Sequence, residues 1–201
     1  MWKIDPAKTA LLVIDMQNDF VLEGHPMEVP EARTAIPYIQ KLIATSRELG
    51  IPVIYSQHTL RDDFAVSPLE STYNERLLTV GMRKGTFGVQ VIDALKPAEN
   101  DIVIEKYRYD AFYATNLEPV LRSIRGLNQI DTVIITGTLT EVCCESTARG
   151  AYMRDYKVAF VSDATGALTA PAQVATENVM RTFFGRVLTA AETDSELRGS
   201  L

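Results

Sequence analysis

Three residues stand where chemistry can be staged. Asp15 closes the apolar run Leu11-Leu12-Val13-Ile14, Lys106 follows Ile102-Val103-Ile104-Glu105, and Cys143 follows Thr136-Gly137-Thr138-Leu139-Thr140-Glu141-Val142. A carboxylate can take a proton, an ammonium can hold a carboxylate, and a thiol becomes a strong nucleophile when it loses its proton. Each residue also has a plainer reading. Asp15 alone fits a turn-capping aspartate as well as a buried base. Lys106 alone reads as a solvated side chain beside Arg108. Asp19, the competing carboxylate, lies further into the loop and is expected to order the Gln17-Asn18 turn. Cys143 is the most informative of the three. With Thr140 as N-cap, it falls at about the third residue of a helix. Free N–H groups and the helix dipole there favour a thiolate and can hold an oxyanion.

The neighbouring Cys144 shares a helical stripe with Ala148, Ala151 and Tyr152 and is expected to be a small core residue. Cys143 sits roughly 100° further round the helix, on the side of Thr147 and Gly150. Vicinal cysteines seldom close a disulfide with each other, so a disulfide framework within the chain is excluded. Glu145 and Arg149 have the spacing of a surface i,i+4 pair.

The elements that must position these residues are short apolar runs: Ala10–Ile14, Pro52–Tyr55, Ile102–Ile104, Thr132–Thr136, Val158–Val161 and Arg186–Thr189. Most are β-branched and apolar at successive positions, as in strands covered on both faces. Helical periods lie between them, over Ala35–Leu49 with Gly50 as the stop, Asn116–Arg125, Glu141–Arg154 and Ala172–Phe184. This alternation predicts a three-layer α/β fold, a doubly wound, mostly parallel six-stranded sheet with helices on both faces. Ligands in such folds bind at the carboxyl ends of the strands, where Asp15, Lys106 and Cys143 fall. The polar stretch Gln57–Lys84 is expected to be a loop-rich excursion over that edge. Without linker or repeat, residues 1–201 read as one domain.

Composition narrows the function. Hydrophobic residues make up 46% and charged residues 23% of 201, the balance of a soluble globular protein. A net charge of −6 argues against a nucleic-acid surface. No stretch is long and apolar enough to span a membrane, and the start is not a signal peptide, so a cytoplasmic location is expected. There is no G-x-S-x-G elbow, H-E-x-x-H, Walker loop or G-x-G-x-x-G fingerprint. With only His25 and His58, a histidine-based triad has few candidates.

Three segments in order resemble the isochorismatase-like cysteine hydrolases, a family that includes nicotinamidases, N-carbamoylsarcosine amidases, biuret hydrolases and ureidoacrylate amidohydrolases. They are Leu11–Phe20 (LLVIDMQNDF), Lys106–Phe112 (KYRYDAF) with Thr115-Asn116-Leu117, and Gly137–Arg149 (GTLTEVCCESTAR). The resemblance implies a catalytic triad of Asp15, Lys106 and Cys143. It also implies a non-proline cis peptide between Thr138 and Leu139 and an oxyanion hole from the Leu139 and Cys143 N–H groups. The implied activity is hydrolysis of a C–N bond in a small amide, carbamoyl or ureido compound, through a thioester with release of ammonia, by a homodimer or homotetramer. Two departures, Gly150 and Glu141, stand where the family often has Asp or Asn; both lie outside the triad and read as tuning. Nicotinamidases hold a metal after the second strand with an Asp and two His. Here Ser56–Asp63 offers only His58, so no metal or other cofactor is expected, and His58 reads as a loop or pocket residue. A nicotinamidase-type hydrolase and a non-catalytic, redox-responsive relative remain the alternatives. Arg61, Arg83, Lys84 and Arg108 could pair with a substrate carboxylate, though each also reads as a solvated charge.

Overall fold

The computed structural model describes residues 2–61 and 68–199, with no side-chain description for Pro68. Six strands form one all-parallel sheet in the order β3-β2-β1-β4-β5-β6. They are β1 (Thr9–Ile14), β2 (Val53–His58), β3 (Ile102–Lys106), β4 (Thr132–Thr138), β5 (Lys157–Gly166) and β6 (Arg186–Leu188). The helices are α1 (Asn18–Val21), α2 (Ala32–Glu48), α3 (Pro68–Tyr73), α4 (Leu117–Ser123), α5 (Glu145–Tyr152), α6 (Ala170–Val179) and α7 (Ala190–Leu197).

Both faces of the sheet are buried, which explains why its strands do not alternate apolar with polar residues. Leu11, Val13, Ile134, Ala159 and Val161 pack under Ala35, Ile39 and Leu42 of α2 and Leu197 of α7. Leu12, Ile14, Val133, Ile135 and Phe160 face the other way, onto Leu117 and Leu121 of α4 and Ala148 and Ala151 of α5. Gly50 ends α2 with φ 67°, a conformation that suits glycine.

The structure departs from the sequence reading in three places. β2 and β3 run on to His58 and Lys106, because parallel pairing continues through Gln57↔Glu105 and His58↔Lys106. The 57–84 excursion contains α3 and a 3₁₀ turn, Glu75–Leu78, and Leu60 bridges to Arg83. Asp62 and Asp63 lie outside the described residues. Tyr152 does not join the buried stripe of Cys144, Ala148 and Ala151. It is 47% exposed at the last turn of α5, edge-on to Phe184.

Candidate active site

β1 is flanked by β2 and β4, so Asp15, the first residue beyond it, emerges in the middle of the sheet's carboxyl edge. Its backbone has φ 47°, a left-handed conformation that aspartate tolerates better than most residues. The turn is held from β2, where both the carbonyl and the hydroxyl of Ser56 accept from the Asp15 N–H at 3.2 Å. The Ser56 hydroxyl in turn donates to Asp15 Oδ1 at 2.6 Å. Across the sheet, Gly137 of β4 has φ 115°, and a Cβ there would lie 2.0 Å from the Ile14 carbonyl oxygen. Only glycine lets β4 pass that close to the end of β1.

Lys106 is fully buried, not solvated. Its Nζ lies 2.7 Å from Asp15 Oδ2 and donates to the Arg108 carbonyl at 3.0 Å. Burial works against the ammonium, but Asp15 and Cys143 outweigh it and hold its pKa above the ordinary lysine value. Lys106 therefore stays charged inside the protein.

Cys143 is buried, and its thiol interacts with both Asp15 and Lys106. It belongs to a π-helical turn, Thr140–Cys144, that leads into α5. The expected Thr140 cap does not form. Leu139 takes the cap position without a side-chain bond, and the Thr140 hydroxyl donates to Gln173 Oε1 at 2.7 Å instead. The helix end that favours a thiolate is opposed here by burial. Burial pushes the Cys143 thiol well above its usual pKa, Lys106 opposes this and Asp15 adds to it. The Thr138–Leu139 peptide is cis. Among the described residues, no acceptor is bonded to the Leu139 N–H. Cys144 is fully buried with its Sγ 3.9 Å from the Thr136 carbonyl, turned into the core.

Sequence reasoning missed several residues here. His58, expected as a loop or pocket residue, is the last residue of β2 and is buried with its backbone clamped by Gln17. The Gln17 amide donates to the His58 carbonyl at 3.0 Å and accepts from the His58 N–H at 2.7 Å. Burial, reinforced by Lys106, lowers the His58 pKa to about 3, so the ring is neutral. Glu70 Oε1 lies 3.7 Å from His58 Nε2, and Tyr109 stacks edge-on to the imidazole. The available signal was a polar Ser-Gln-His run directly after an apolar strand. Asp19 does something other than order its own turn. Its Oδ2 accepts from the Met82 N–H at 2.6 Å and Oδ1 lies 3.3 Å from His25 Nδ1, so it ties down the excursion. Gly150 has a steric reason, since a Cβ there would lie 2.6 Å from the Asp110 carboxylate. Glu141 accepts from the Leu168 N–H at 3.0 Å.

A groove of about 390 Å³ adjoins these residues, lined by Glu70, Tyr73, Arg108, Tyr109, Tyr113 and Ser146 among others. Ser146 is one turn beyond Cys143, and burial, helped by Glu70, raises the Tyr109 phenol above its usual pKa. A larger groove of about 630 Å³ runs past Trp2, Lys157 and Phe183 at the amino end of β5, the wrong end of the sheet for Asp15 and Lys106. Of the other basic candidates, Lys84 pairs with Glu105 at 2.5 Å, Arg83 donates to the Leu77 carbonyl, and Arg108 donates to the Tyr107 carbonyl at 2.6 Å.

A buried acid, ammonium and thiol converging at the carboxyl edge of an all-parallel sheet match a known pattern. The isochorismatase domain model matches residues 9–192. The chain belongs to the isochorismatase family. Its relatives include the ureidoacrylate amidohydrolase RutB of Methylorubrum extorquens, 34% identical over 96% of this chain and 84% of that protein. A crystal structure of a cysteine hydrolase from Pseudomonas syringae pv. phaseolicola superposes with a TM-score of 0.92 at 31% identity, covering 100% of this chain and 97% of that one. The N-carbamoylsarcosine amidase of Thermoplasma acidophilum superposes with a TM-score of 0.77 at 32% identity, covering 92% and 98%. This isochorismatase-family chain thus shares its fold with a cysteine hydrolase and an N-carbamoylsarcosine amidase.

Proposed function

We propose that the chain is a cysteine amidohydrolase of one domain, residues 1–201, acting on a small amide, carbamoyl or ureido compound. The observation that carries this reading is the buried Lys106–Asp15 pair, 2.7 Å apart, facing the Cys143 thiol. Burial raises the pKa of the thiol, so it needs a base that acts as it attacks, and Asp15 is that base. Lys106 pairs with Asp15 at 2.7 Å and supplies the positive charge of the site. Sulfur bonds to the carbonyl carbon as its proton passes to Asp15. The Leu139 and Cys143 N–H groups hold the oxyanion, each worth roughly 3 kcal/mol in comparable sites. The tetrahedral adduct collapses to a thioester, and Asp15 returns the proton to the departing ammonia or amine. Water then attacks the thioester with Asp15 again as base, giving an acid (carbamic for a carbamoyl substrate) and the free thiol.

The names of the relatives favour carbamoyl and ureido substrates. Of the two alternatives, a vicinal redox pair is disfavoured by Cys144 turning into the core; a nicotinamidase from Bacillus subtilis also superposes with a TM-score of 0.79, at a lower identity of 27%. Among the described residues no helix is long and apolar enough to cross a membrane. We assign a homodimer or homotetramer on the family analogy. The test is an ammonia-release screen across N-carbamoyl acids, ureido acids, biuret and primary amides. Activity that vanishes in Cys143→Ser and survives in Cys144→Ser supports the reading; equal loss in both overturns it.

A further inference from the structure

We propose that Asp15, His58 and Cys143 form a three-ligand site for a zinc-class divalent cation, which blocks the enzyme when it is occupied. One carboxylate oxygen, one imidazole nitrogen and the thiol sulfur all lie within 4.8 Å of one another, and all three side chains are buried. Among the described residues this is the one group of metal-ligand type with that spacing. The mix of thiol, imidazole and carboxylate is what zinc and cobalt prefer over magnesium or calcium.

A tetrahedral zinc ion places its ligand atoms roughly 3.5 Å apart, and the three groups lie within 4.8 Å of one another, so they need to close by at most about 1.3 Å. A second observation points to a missing ligand. His58 Nε2 is buried and has no hydrogen-bond partner among the described residues, an expensive state for an imidazole fixed by its clamped backbone. Asp15 can accept an ion without giving up Ser56 or Lys106, because each carboxylate oxygen carries two lone pairs. As the metal–sulfur bond forms, the Cys143 proton leaves to solvent. The ion brings two positive charges and the proton removes one. Glu70, with Oε1 3.7 Å from His58 Nε2, stands ready to balance the remainder. The fourth coordination position is left to water. A sulfur bonded to metal cannot attack, and a carboxylate bonded to metal cannot take its proton, so occupancy and turnover exclude each other. The blocking part rests on the hydrolase reading; the binding part does not.

Cobalt(II) is the probe. Titration into the whole protein is expected to raise one equivalent of a thiolate-to-cobalt charge-transfer band that zinc displaces and magnesium does not. Cys143→Ser is expected to abolish the band and Cys144→Ser to keep it. His58→Gln is expected to weaken binding by more than the roughly 10–100-fold that loss of an outer contact costs. For the unaltered protein, zinc is expected to slow alkylation of Cys143 by iodoacetamide, which needs no folded variant. Absence of the band in the unaltered protein, its survival in Cys143→Ser, or alkylation indifferent to zinc would overturn the proposal. If no band forms while ammonia release still depends on Cys143, the metal site fails alone. If the band depends on Cys143 while ammonia release survives Cys143→Ser, the hydrolase reading fails alone.

Discussion

Replacing Lys106 with Met separates the two tasks of the buried ion pair. Methionine nearly matches the lysine stem in volume, so packing is preserved and the charge is lost. At 2.7 Å, two unit charges attract by about 6 kcal/mol at an effective dielectric of about 20, much of which offsets the desolvation of both groups. Removing only the cation leaves Asp15 buried with the Ser56 hydroxyl and no counter-charge. That should destabilise the fold by about 3–5 kcal/mol. For a chain of this size the melting temperature should fall by about 6–20 °C. The stranded carboxyl will take up a proton, and a protonated Asp15 cannot accept one from Cys143. Turnover should fall by about 10²–10⁴-fold, the usual worth of a general base. The double variant Asp15→Asn with Lys106→Met buries no charge, so most of the lost stability should return while activity does not. Urea unfolding gives the first readout and ammonia release the second. A Lys106→Met protein with unaltered turnover, or a double variant as unstable as the sum of its singles, would refute the reasoning.

Five further outcomes are expected. Cys143→Ser should lower turnover by at least about 10³-fold in the ammonia assay. Cys144→Ser should keep the activity and lose about 1–3 kcal/mol of stability in urea unfolding, because a buried hydroxyl replaces a sulfur. Gly137→Ala should fail to accumulate as folded protein, because its Cβ would sit 2.0 Å from the Ile14 carbonyl; a soluble variant with an unchanged melting curve would contradict the close approach of β4 to β1. Glu196 carries the pH prediction. Arg186, opposed by burial and helped by the Ile4 N–H, holds its carboxyl below the ordinary glutamate value. A depressed carboxylate pKa stabilises the fold above the unfolded value near 4.5, and that share is lost as pH falls towards the folded value. Glu196→Gln should therefore flatten the pH dependence of melting below about pH 4.5 and hardly alter its slope at neutral pH. Exhaustive chelation should leave ammonia release undiminished; a loss restored by zinc or iron would mean a metal-dependent reaction.

Periodicity alone determined that the chain is a parallel α/β sheet covered on both faces, and that Asp15, Lys106 and Cys143 fall at strand or helix ends on one edge. The apolar runs made this readable, because a strand buried on both faces has nowhere to place a polar residue until it ends. The motif segments carried the family. Local sequence could not say which charged residues lose their water. Lys106 and Arg108 differ by two positions, yet only Lys106 is fully buried, and that depends on which strands flank β3 and β1. It could not foresee Thr140 bonding to Gln173 of a distant helix, nor His58 and Glu70 meeting beside the thiol across a long excursion. Burial raises the pKa of Cys143 against the helix end that by itself favours a thiolate. Desolvation depends on everything packed around a group, so only the assembled tertiary structure fixes its size.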